Sequence, residues 1–171
     1  MKKLLIPCLI LFIGSTSFAS EIDSLWEKRS RVQIEWQDNL ANLLLKELPE
    51  AKEIILIQRD LQITFIQMAR EKYYYLLQNY PSRIIRNRGQ SQWANFDWTK
   101  DDEKKLLEIS ETYRNLKSKK ESLEKKNQGH PMWPKLRESF GAIQKTEEYQ
   151  KEYKKLVESL EEIDNLLKKI R

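Results

Sequence analysis

Residues 49–79 restrict the fold more than any other stretch of this chain. Ile54-Ile55-Leu56-Ile57 distributes apolar side chains around most of a helix, because each residue turns it by about 100°. Leu61, Ile63, Phe65, Ile66, Met68 and Ala69 continue the pattern, and Tyr73-Tyr74-Tyr75 then sets rings on three bearings. A helix that is apolar nearly all round must be buried nearly all round. This segment is therefore expected to be the most buried helix, with Ile54, Leu61, Phe65 and Met68 inside the protomer. At least one of Tyr73, Tyr74 and Tyr75 should be exposed, as the candidate interface of a homo-oligomer.

The flanking segments also read as helix. No run of alternating β-branched residues bounded by turns occurs, and the good helix formers Lys, Glu, Leu and Gln dominate. A first helix over about 24–47 should open at Ser24-Leu25-Trp26-Glu27, a capping-box pattern. Its apolar stripe is Ile22, Leu25, Val32, Trp36, Leu40 and Leu43. Pro49 disfavours helical geometry at Leu48, so Leu48-Pro49 reads as a tight corner before helix 49–79. One long helix kinked at Pro49 is the competing reading. A third helix should run over 99–127, opening at Thr99 with Asp101, Asp102 and Glu103 in its first turn and stopping before Gly129. A fourth, over 134–170, carries the heptad seam Tyr149, Tyr153, Leu156, Leu160, Ile163, Leu167 and Ile170. The expected fold is all-α: an antiparallel bundle of four long helices.

Residues 1–19 read as a cleavable signal peptide rather than as part of that fold. Lys2 and Lys3 precede an apolar run from Leu4 to Ile13, and Ser17-Phe18-Ala19 fits a peptidase site before Ser20. The run is short of the roughly 20 residues that a spanning helix needs. Residues 20–171 then form a single helical domain, soluble and periplasmic or secreted. The formal net charge of the whole chain is +5, and the leader takes two lysines and no acid with it. What remains is mildly basic, which is no nucleic-acid signature. Cys8 is the only cysteine and lies in the leader, so packing rather than disulfides must hold the domain.

Motifs for chemistry are scarce. One histidine and no cysteine beyond the leader leave nothing for zinc or di-iron ligand patterns, and no metal or cofactor is expected. His130, in Gly129-His130-Pro131, reads as a turn residue. No nucleophile elbow and no phosphate-binding glycine loop occurs. Glu138-Ser139-Phe140-Gly141-Ala142 resembles the Glu-Ser motif of lytic transglycosylases, without that family's downstream Gly-Leu-Met-Gln element and its irregular, glycine-rich substrate cleft. Leu48-Pro49 and Gln58-Arg59 resemble the helix corner and Gln-Arg pair of small exported helical lysozyme inhibitors. That family's paired cysteines are absent, as is the tryptophan after Gln-Arg, so the family is not assigned.

The stretch 80–98 is the longest irregular one. From Arg83 to Trp98 it holds Arg83, Arg86 and Arg88, the rings Trp93, Phe96 and Trp98, and one acid, Asp97. The arginines are expected on the surface as an anion site, with Trp93 or Trp98 packed inward under them. The chain accordingly reads as an exported, non-enzymatic binding or assembly protein of the cell envelope. Its expected partner is another envelope protein, a cell-wall polymer or an anionic lipid surface. A peptidoglycan-active hydrolase, or an inhibitor of one, is the alternative.

Overall fold

The computed structural model describes residues 13–84 and 97–169. These residues are all-helical and contain no strand. They form α1 (Ile13–Glu47), α2 (Lys52–Asn79), α3 (Lys100–Ile109), α4 (Glu111–Asn127), α5 (Trp133–Ile143) and α6 (Glu147–Lys169). Single 3-10 turns at Pro49–Ala51 and Pro81–Arg83 follow α1 and α2.

The corner at Leu48-Pro49 is a true turn, and α1 and α2 fold back on each other there. Arg59 faces Asp38 near the corner, while Tyr74 and Arg70 meet Glu27 far from it, so the two helices run antiparallel. On this hairpin, α4 packs against α2, and α5 and α6 pack against α1. The α1–α6 contact is pinned by Lys28–Glu162, by the buried pair Arg29–Asp164 at 3.0 Å, and by Asn39–Glu152. Desolvation lowers the Arg29 pKa, and the charge and hydrogen bond of Asp164 oppose it.

The interior divides into two clusters, one at each end of the hairpin. Near the corner, Leu44, Leu48, Ala51, Ile54 and Ile55 pack with Leu136, Ile143 and Tyr149 of α5 and α6. At the far end, Leu25 and Trp26 meet Met68, Tyr73, Tyr75 and Leu76 of α2, together with Leu106, Tyr113 and Ile163.

Several expectations are corrected. The four long helices become six helices among the described residues, because two expected helices are broken. Ser110 leaves helical geometry (φ −108°, ψ 111°) and its hydroxyl accepts from the Tyr113 N–H, which ends α3 and caps α4. Thr146 does the same before α6, accepting from the Tyr149 N–H at 3.3 Å. The apolar spacing across each break stays helical, so a cap hidden in a periodic run was the deciding signal. The first helix begins at Ile13, and Ser24–Glu27 therefore lies inside α1 rather than at its start.

Within α2, Ile54, Leu61 and Met68 are buried as expected, but Phe65 is 39% exposed. It sits at the margin of the α2–α4 contact, covered by Lys120, whose ammonium lies 5.6 Å from the ring centre. The tyrosine triplet presents no exposed face. Tyr73 and Tyr75 belong to the far-end core, and Tyr74 is half-buried with its hydroxyl donating to Glu27 at 3.3 Å. The heptad seam of α6 is only partly used: Tyr149 and Ile163 are buried, whereas Tyr153 is exposed.

Candidate functional site

At the far end, Arg83, one of the three arginines expected to face solvent, is engaged by the fold. Thr99 caps α3 with a full capping box. Its hydroxyl accepts from the Asp102 N–H, and its own N–H donates to the Asp102 carboxylate at 2.9 Å. Arg83 then approaches the same carboxylate as a fork, with contacts of 3.0 and 2.5 Å. It also donates to the Asp97 carbonyl and lies 5.2 Å from the Tyr80 ring centre. The Arg83 side chain keeps 23% of its exposure and that of Asp102 only 4%. The Arg83 hydrogen bonds, joined by those of Thr99, overcome burial and hold the Asp102 carboxyl well below the usual carboxylate range.

Next to this pair, Glu103 ties three elements and Trp98 together. Tyr113 donates to it at 2.7 Å and the Trp98 indole at 3.1 Å, while Lys72 and Lys117 stand at 3.5 and 3.4 Å. Burial raises the Glu103 pKa, but the Tyr113 hydrogen bond, the Lys72 charge and the Trp98 and Lys117 contacts outweigh it, so the carboxyl stays low. Burial, and then Glu103, push the Tyr113 hydroxyl up.

Trp98 therefore packs inward, its ring 5.8 Å from that of Tyr75, as the sequence suggests. Arg83 does not become a free anion site, because it is needed to neutralise a buried carboxylate. Arg86, Arg88, Trp93 and Phe96 lie outside the described residues.

The near end is built differently. A groove of about 380 Å³ opens between α1, α2 and α5. Its floor is aliphatic: Leu40, Ala41 and Leu44 of α1, Ile55 of α2 and Leu136 of α5. Trp133 and Phe140 wall it on the α5 side, and the Trp133 indole is fixed by donating to the Asn127 carbonyl at 2.9 Å. Gly129, with φ at +70°, makes the left-handed turn that brings α5 back onto the hairpin. His130 in that turn accepts from the Met132 N–H at 3.3 Å, so it serves the turn.

Polar groups form the rim. Gln58 is held by Asn127, and Arg59 by Asp60 at 2.6 Å and Asp38 at 3.8 Å. Gln37, Gln62 and Arg137 differ. Arg137 makes no ion pair among the described residues and lies over the Trp133 ring at 5.4 Å. The Gln37 and Gln62 amides make no side-chain hydrogen bond among the described residues. Glu138 is exposed on α5 and is not part of the lining.

A second cavity, between α1 and α6, holds acids that are already paired, Glu148 with Lys46 and Glu152 with Lys155. No cluster of His, Cys, Asp and Glu suited to a metal ion occurs among the described residues, and no described helix is long and apolar enough to cross a membrane.

The sequence named the far-end loop and missed the groove. Gln37, Gln58–Gln62 and Trp133–Phe140 are remote from one another in the chain, and neither the Gln58-Arg59 pair nor the Glu138-Ser139 motif points to a groove shared by three helices. Compared with protein-family models, curated proteins and solved structures, the chain matches none.

Proposed function

We propose that this chain is an exported, non-enzymatic binding protein of the cell envelope, and that the groove between α1, α2 and α5 is its binding surface. The carrying observation is the state of the lining. An aliphatic floor lies under two amides and one guanidinium that make no side-chain hydrogen bond or ion pair among the described residues. The lining offers amides, guanidiniums and apolar side chains, and contains no histidine, cysteine or carboxylate. Export rests on the charge and apolar pattern of residues 1–19. The partner classes are an envelope protein, a cell-wall polymer or an anionic lipid.

Leu40 is half-buried in the floor, so Leu40→Glu places a charge where an apolar group should sit. Envelope extract passed over immobilised wild-type protein should yield cargo that the Leu40→Glu variant, checked for native helicity, does not retain. Equal cargo on both proteins would remove the groove from the function. A second reading, an inhibitor of a peptidoglycan hydrolase, is favoured by the place of Gln58 and Arg59 on the same rim. It requires the protein to slow lysis of purified cell wall by a muralytic enzyme.

A further inference from the structure

Resting on that reading, we infer that the groove takes a medium-chain aliphatic carboxylate, with its hydrocarbon on the floor and its anionic head at Arg137. The lining contains two guanidiniums, Arg59 and Arg137, and no carboxylate. Arg59 is already paired with Asp60 and Asp38, so Arg137 is the guanidinium of the lining that has no ion pair among the described residues. A guanidinium is planar and presents paired N–H donors that match a carboxylate's two oxygens. The floor beneath has no hydroxyl or acid to welcome a polar tail.

The volume favours a single chain over a protein segment. The lining falls within residues 37–44 of α1, 55–62 of α2 and 133–140 of α5, about two turns or 12 Å of each helix. A cavity of about 380 Å³ falls in the range of small-molecule sites.

Calorimetric titration of the full chain with decanoate, decyltrimethylammonium and acetate tests the assignment. Decanoate should bind, acetate should not, and the cationic amphiphile should bind about tenfold more weakly or worse, the size of one charge-assisted contact. Arg137→Gln should abolish the preference for decanoate, and Gln62→Glu, on the exposed rim, should weaken decanoate without disturbing the fold. The interaction should also weaken as salt rises, since Arg137 is exposed.

Equal affinity for the two amphiphiles, or an unchanged preference in Arg137→Gln, overturns carboxylate recognition. No decanoate binding overturns it too. Binding of an acidic amphipathic peptide alone would assign the groove to a protein partner. Dimerisation lost in Arg137→Gln would assign it to a second copy, and either result overturns the inference. Loss of envelope cargo in Leu40→Glu would still uphold the groove as a binding surface in these cases, so the two failures are distinct.

Discussion

The two ends of the α1–α2 hairpin use the same ingredients, arginine and tryptophan beside a helix start, and put them to opposite uses. At the far end, Arg83 and Trp98 are drawn to acids at the start of α3, Asp102 and Glu103, and become part of what holds α2, α3 and α4 together. At the near end, Trp133 and Arg137 stand in the first turns of α5, which has no acid in its first turn. Among the described residues, Arg137 has a ring beneath it and no ion pair. The difference teaches that cationic and aromatic composition does not mark a binding site. Whether the fold itself supplies the countercharge decides the matter.

The sharpest way to break this comparison is to remove the far-end countercharge. Asp102→Ala strips α3 of its capping box and leaves Arg83 without its main partner, and should cost about 3 kcal/mol in urea unfolding. A loss under about 1 kcal/mol would mean that solvent, not Asp102, satisfies Arg83. The same carboxylate sets an acid limb. Its folded-state pKa is depressed, so its contribution is fully present above its unfolded value of about 4 and is lost as pH falls through the folded value. Wild-type stability should therefore fall more steeply below pH ~4 than that of Asp102→Ala, and parallel acid limbs would contradict the assignment.

A smaller effect is expected one layer in. Tyr113 is fully buried and its hydroxyl serves Glu103, so Tyr113→Phe should cost about 1–2 kcal/mol, measured by thermal unfolding. Smaller again is Ser110→Ala. Losing the α4 cap should cost about 1 kcal/mol, and no change would show that the break between α3 and α4 is held by packing alone.

Much of this was legible in the sequence, and the missed parts share a cause. The Leu48-Pro49 corner, the Thr99 start and the Gly129 stop were readable because each signal is local: a proline, a cap, a left-handed glycine. The apolar face of α2 was readable because periodicity reports burial. Phe65 was misplaced because periodicity shows which face is apolar, not how far a neighbouring helix extends over it. The breaks at Ser110 and Thr146 were obscured by apolar spacing that stays in phase across them. Arg83 was read as exposed because its partner, Asp102, is a helix-cap residue whose second role appears only in three dimensions. The groove was not legible, since its lining comes from three helices and its defining property is a missing countercharge.

The central claim is that Arg83 belongs to the fold and Arg137 to a ligand. Urea unfolding of Arg83→Gln and Arg137→Gln, side by side with wild type at neutral pH, tests it most directly. Arg83→Gln leaves the Asp102 carboxylate buried without its cation and should lower stability by about 3 kcal/mol. Arg137→Gln should stay within about 0.5 kcal/mol of wild type, as expected for an exposed side chain with no ion pair. Equal destabilisation by the two substitutions, or a larger loss for Arg137→Gln, would contradict the account.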